Sequence, residues 1–243
     1  MVISLIILVM TLVVPALNGI KGAGDVTKCV YDISGALDQA RAYAIANNTY
    51  VYVGIGEFDA TYTSSANPQI SGTGRLAIAT VASKDGTRGY DISINPLPLG
   101  QSSSAWTNYN NGKNLTAVGN LVVLENVHMP AFITGSTGGL SRPTVALTGS
   151  SCYSLGSSAS ASVTPFDWPL GTQLTKGQYS FTKVINFDPQ GIARIQFVNN
   201  ADMINDYMEI DLQQTHGTVI TSGSAVSVVQ IDSMTGSTHI YRP

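Results

Sequence analysis

From Met1 to Leu17 the chain is apolar almost throughout, with Ser4, Thr11 and Pro15 the only interruptions. As a helix this stretch spans about 25 Å at 1.5 Å per residue. That is slightly short of the roughly 20 residues that cross a bilayer core about 30 Å thick. It shows no polar face, which a helix buried in a water-soluble domain normally has. A secretory signal peptide needs a basic start, an apolar centre and a small-residue cleavage site. Val14-Pro15-Ala16 could serve as the site, yet no Lys or Arg precedes Lys21. The pattern reads as a membrane anchor.

Past Leu17 the character changes. Asn18-Gly19-Ile20-Lys21-Gly22-Ala23-Gly24 is polar and glycine-rich, and Asp25 follows as an N-cap. Val26, Cys29, Val30, Ile33, Leu37, Ala40 and Ala44 then recur at steps of three and four, one apolar stripe on a helix that Asn47-Asn48 closes. This amphipathic half needs a partner surface. Strand candidates supply it at once in "TYVYVGI" (49–55), "RLAIATVA" (75–82), "YDISI" (90–94) and "NLVVLENVHM" (120–129). Ser/Thr/Gly/Asn-rich loops separate them at about 60–74, 97–117 and 134–178.

From Tyr179 the pattern tightens. "FTKVINF" leads into Asp188-Pro189-Gln190-Gly191, with Pro second and Gly fourth in a β-turn. In "IARIQF" the residues Ala193, Ile195 and Phe197 share a face. "YMEIDL" alternates more cleanly, with Met208, Ile210 and Leu212 inward and Tyr207, Glu209 and Asp211 outward. "SAVSVVQID", a Ser233-Met234-Thr235-Gly236 turn and "STHIY" make a closing hairpin. The division predicted is 1–24, an apolar membrane or filament-core helix with a Gly-rich break; 25–48, the amphipathic helix; and 49–243, an antiparallel β domain with long loops.

Composition sharpens this picture. Charged residues make up only 11% of the chain, well under the usual quarter, so Ser, Thr, Asn and Gln carry the polar surface. The formal net charge is −3 and no run of Lys or Arg occurs. Tight phosphate-backbone binding draws on several basic side chains, so nucleic acid is not the expected partner. Two cysteines, Cys29 and Cys152, are too few for a disulfide framework or a zinc site. They can pair in an oxidising compartment or stand as unrelated thiols, and both readings are open.

Few residues stand in patterns that carry chemistry. His128, His216 and His239 have no metal-ligand spacing, and no Gly-x-Ser-x-Gly elbow occurs. "GIGEFD" and "GTGRLA" lack the third glycine of a nucleotide fingerprint. Glu57 and Asp59 are two apart and would share a strand face, although solvated loop acids are far commoner. Asn47-Asn48-Thr49 and Asn114-Leu115-Thr116 are glycosylation sequons, best read as chance in so Asn/Thr-rich a chain. No catalytic residue, cofactor site or metal site is predicted.

With those pieces in place, the chain resembles the type IV pilin-like proteins. "ALDQARAYAIANNTYVYVGI" (36–55) is similar to the segment that marks GspH/FimT-type minor pseudopilins: a leucine, an Ala-Arg pair and small residues end the helix, and a strand of Val and aromatics follows. "INFDPQGIARI" (185–195) is similar to that family's Phe-Pro-Gly turn, and "VVQIDSMTGSTHIY" (228–241) to its closing hairpin. The central region matches nothing in that pattern. The family's basic leader and the glutamate five residues into the mature chain are absent. Aligning Pro15 with the family's helix proline makes this an N-terminally truncated version, beginning about seven residues inside the mature helix; those residues would complete a membrane span.

The resemblance implies an α+β, pilin-like fold: a long N-terminal helix, membrane half plus amphipathic half, packed on an antiparallel β domain. It implies a structural subunit of a type II secretion or type IV pilus-type filament, not an enzyme. Such a subunit would be single-pass in the bacterial inner membrane, with the β domain in the periplasm or on a filament. Its partners would be other pseudopilins or pilins, the membrane and a secreted substrate. Val2, Ile3, Leu5, Ile6, Leu8, Val9, Leu12, Val13 and Pro15 would pack in membrane or filament. Val26, Val30, Ile33, Leu37, Ala40 and Ala44 would pack on the β domain. DNA binding of the FimT kind would draw on arginines near the closing hairpin, where only Arg242 stands. The alternative reading is a secreted β-rich adhesin or carbohydrate-binding domain, cleaved after Ala16 and using Trp106, Tyr109 and Trp168.

Overall fold

The computed structural model describes residues 2–88, 114–131, 142, 152–156, 166–170, 178–195, 206–221 and 226–242, with side chains from residue 24 onward. Helix α1 runs Val2–Asn47. Thirteen strands follow among the described residues: β1 Val51–Asp59, β2 Gly74–Ser83, β3 Leu115–Ala117, β4 Val122–His128, β5 Cys152–Ser154, β6 Phe166–Trp168, β7 Tyr179–Phe181, β8 Lys183–Phe187, β9 Ala193–Arg194, β10 Tyr207–His216, β11 Val219–Ile220, β12 Ser227–Asp232 and β13 Thr238–Tyr241.

Eleven of these strands form one sheet in the order β13-β12-β10-β4-β2-β1-β8-β9, with β11 and β5 also on β10 and β3 on β2. All pairings are antiparallel except β5 on β10. Strands β6 and β7 form a separate ribbon. A cross-link between the sheet's far ends, Ala193 N donating to the Ser233 carbonyl at 2.8 Å, curls it around the helix.

The helix ends where its sequence predicts. Asn48 takes a left-handed φ of 50°, Asn48 N reaches Ile45 O and Thr49 N reaches Ala44 O, so the last carbonyls are satisfied in a Schellman motif. The chain then enters β1 within three residues, which lays the helix antiparallel over the strand it feeds. Val26, Cys29, Val30, Ile33, Leu37, Ala40 and Ala44 are all buried against Val51, Val53, Ile55, Leu76, Ile78, Met208, Ile210, Leu212, Val229 and Ile231. Thr238 Oγ1 donates to Asp38 Oδ1 and shares a hydrogen bond with Ser34 Oγ, each at 3.0 Å. Leu37 is fully buried in this seam, so Leu37→Ala should cost about 2–5 kcal/mol in denaturant unfolding.

The other face of the sheet is covered as well. Tyr52, Phe58, Ala77, Ala79 and Val81 pack there with Phe166, Tyr179 and Phe181 of the ribbon. Phe58 meets Tyr179 edge-on at 5.1 Å between centroids. With both faces covered, every residue of β2 is buried.

This architecture corrects the predicted α+β fold of a long helix packed on a β domain. The chain is mostly β: the part of the helix seen to pack is residues 24–47, set on one large sheet with a ribbon behind it. The physical reason is length. Strands of nine or ten residues run about 30–33 Å, which accommodates only about the 36 Å that residues 24–47 span. The sequence also hides the short strands β3, β5, β6, β7 and β11 inside or beside Ser/Gly-rich loops, whereas β9 falls in the alternating stretch "IARIQF". The candidate strand at 90–94 lies outside the described residues.

Candidate functional site

The strongest local feature is a seam at the C-terminal end of the helix, where three separate sequence motifs meet. Arg41, of the Ala40-Arg41 pair, lies across both predicted turns. A Cβ placed on Gly191 would stand 3.3 Å from Arg41 Nε and 2.9 Å from Ile45 Cδ1. One on Gly236 would stand 3.1 Å from Arg41 Cδ and collide with the Gly191 carbonyl oxygen. Both glycines have left-handed φ, 84° and 66°. Each turn is built by an aspartate. Asp188 Oδ1 accepts from Gln190 N and Ile192 N, and Asp232 Oδ1 accepts from Met234 N and Thr235 N. Asp188 also holds Arg194 at 3.0 Å. The turns thus form a glycine-floored cradle into which the helix's last two turns fit. It is a docking joint.

A second cluster lies on the sheet face away from the helix. Glu209, fully buried, receives Arg142 Nε at 2.8 Å on Oε1, a second Arg142 nitrogen at 3.1 Å on Oε2, and Gln230 Nε2 at 2.7 Å on Oε1. Two residues along β10, Asp211 is 2% exposed and its Oδ1 has no hydrogen-bond partner among the described residues. Burial first, then the Glu209 charge, push its carboxyl up to about 7 against the opposing pull of Arg142. The sequence places Glu209 and Asp211 outward, and outward they are, but not in water. Arg142 is bonded to Glu209 there. Arg142→Ala would leave a buried carboxylate unpaired and should cost about 3–5 kcal/mol, read by chemical unfolding at pH 7.

The cysteines do not pair: both are free. Cys29 packs with the helix-side core, whereas Cys152 stands beside Glu209 on the opposite face, so the sheet separates them. Burial raises both thiols well above their ordinary range, which keeps them protonated and unreactive.

The remaining candidates resolve into structural roles. His128 Nδ1 and Glu57 Oε1 are 2.7 Å apart in a half-buried pair. Asp59 instead caps a turn, accepting from Thr61 N and Oγ1, and those bonds lower its carboxyl. The two acids therefore do not act as a pair. Arg242 lies over the Tyr31 ring at 4.6 Å from its centroid. Asn47, Asn48 and Thr49 line an open polar cleft of about 500 Å³ with Tyr43, Ser83, Lys84 and Asp85. Among the described residues no group of His, Cys, Asp or Glu could hold a metal ion.

Among the described residues, too, no helix is long and apolar enough to cross a membrane. Val2, Ile3, Leu5, Ile6, Leu8, Val9, Leu12, Val13 and Pro15, expected to pack in membrane or filament, lie outside the residues whose side chains are described. So do Trp106 and Tyr109, named for carbohydrate contact. Compared with protein-family models, curated proteins and solved structures, the chain matches none.

Proposed function

We propose that this chain is a minor pseudopilin-like structural subunit of a type II secretion or type IV pilus-type filament. Its apolar N-terminal helix anchors it in the bacterial inner membrane, and its β-rich part stands in the periplasm or on the filament. The observation that carries this reading is the convergence at Arg41. The three stretches whose sequences resemble the minor pseudopilins are distant along the chain, yet Ala40-Arg41, the turn at 188–191 and the turn at 233–236 meet in one joint. That joint fixes a helix whose sequence continues, N-terminal to residue 24, into the apolar stretch Met1–Leu17. A helix locked at one end to a folded domain and apolar at the other suits a subunit assembled through its helix. The work of such a subunit is packing, with no substrate turned over.

Photo-crosslinking from Ile6 or Leu8 in cells tests this. Adducts with other subunits bearing apolar N-terminal helices are the expected result. Recovery of the chain in the soluble fraction, with no such adducts, would overturn it.

A further inference from the structure

The end of the β domain nearest residue 25 carries a second feature. Asn126 Nδ2 donates to Asp25 Oδ2 at 3.1 Å, and Asn126 Oδ1 accepts from Gly217 N at 3.5 Å. This sets the β10–β11 turn beside the point where the helix leaves the sheet. The same turn touches the β1–β2 loop, because a Cβ on Gly74 would collide with the Gly217 carbonyl and stand 3.0 Å from Ala60 Cβ. Arg75 braces that loop, bonding the Tyr62 carbonyl at 3.0 Å and Gln69 Oε1 at 2.9 Å.

Seven large apolar side chains are exposed among the described residues, and four of them sit on these two adjoining loops: Tyr62 42%, Ile70 46%, Val219 68% and Ile220 43%. Scattered exposed apolar groups need no explanation. A majority gathered on two touching loops at one end of the domain does. Their position names the occupant. Between the apolar run ending at Leu17 and Asp25 the helix rises about 12 Å, about twice the depth of a headgroup layer of about 5–7 Å. A domain held that close to a bilayer presents this end to the lipid.

We propose that the β10–β11 turn and the β1–β2 loop form a lipid-contacting surface that rests in the headgroup layer of the membrane holding the helix. The proposal depends on the anchored reading above. The lipid it fits is zwitterionic. Arg75 at this end is buried and paired with Glu125 at 2.6 Å, and the turn-capping Asp59 stands there too. Anionic lipid is therefore not required. The contact orients the domain before assembly and is given up when the helix is drawn into a filament.

The test uses the full chain in phosphatidylcholine–phosphatidylethanolamine vesicles carrying a nitroxide quencher near the headgroups. An environment-sensitive fluorescent amino acid replaces exposed Thr218, or, as a control, exposed Met234 in the turn beside Arg41 at the other end of the seam. Severalfold stronger quenching at 218 than at 234, reduced by Val219→Asp with Ile220→Asp, is the expected result. Equal quenching at both positions in chains that float with the vesicles would overturn the lipid surface while leaving the anchor standing. Failure to float would overturn both.

Discussion

Replacing Gly236 by alanine is expected to destabilise the protein by about 3 kcal/mol, a melting temperature lower by about 6–12 °C for a chain of this size. Two costs combine. An L-residue held at a φ of 66° gives up about 1–2 kcal/mol. The added methyl also collides with the Gly191 carbonyl oxygen and presses on Arg41, and overpacking of this kind costs about 1–3 kcal/mol. Backbone on one side and a helix side chain on the other leave little room to yield. Gly191→Ala should cost less, because its nearest obstacle is the flexible end of Ile45 at 2.9 Å. The two substitutions should also fail to add, since both act on the Gly191 backbone and on Arg41. A double-mutant cycle by thermal unfolding reads this directly. Additive losses would mean that the two turns are independent and that there is no joint.

The second large effect is on pH. Asp211→Asn should remove a loss of stability, up to about 4 kcal/mol, that the native chain suffers between about pH 4 and pH 7. The sign follows from the direction of the shift. Burial raises the folded carboxyl to about 7, above the unfolded value near 3.9. The folded state therefore holds a proton that the unfolded state has released. This contribution is fully present below about pH 4 and declines as pH rises through the folded value. Glu209 repels the ionised form and Arg142 attracts it, and burial outweighs Arg142. Asp167, buried and pushed up to about 6, contributes with the same sign. Urea unfolding at pH 5 and pH 8 should show the variant more stable than the native chain at the higher pH, with the gap narrowing at the lower. A variant less stable at both would mean that the Asp211 carboxylate is held by favourable contacts.

The contrast between these two places explains what the sequence reveals. The helix stripe is legible because a 3.6-residue period over 25–48 has one physical solution, and Val26 through Ala44 land in the core. Both turns are legible because Pro189, Gly191 and Gly236 have strong local preferences. That the turns meet under Arg41 is not legible from those preferences, since nothing local encodes the approach of 188–191 to 233–236. Only the shared resemblance pointed to all three.

Glu209 and Asp211 show the opposite case. Alternation assigns their face correctly and says nothing of what covers it. The partner of Glu209 is Arg142, in a Ser/Gly-rich stretch without periodicity, so a buried ion pair reads as a wet surface. The same limit hid β3, β5, β6, β7 and β11, which offer too few positions for a pattern of period two. Cys29 and Cys152 could not be separated in advance, because the sheet between them is built from segments spread over most of the chain.

The central claim is that the apolar stretch Met1–Leu17 stays with the folded domain and places it in a membrane. Intact-mass and N-terminal analysis of the chain recovered from fractionated cells tests it most directly. A membrane-bound protein, released only by detergent and retaining Met1–Leu17, is the expected result. A soluble protein whose first residue is Leu17, cut after Ala16, would contradict it and favour a secreted β-rich domain.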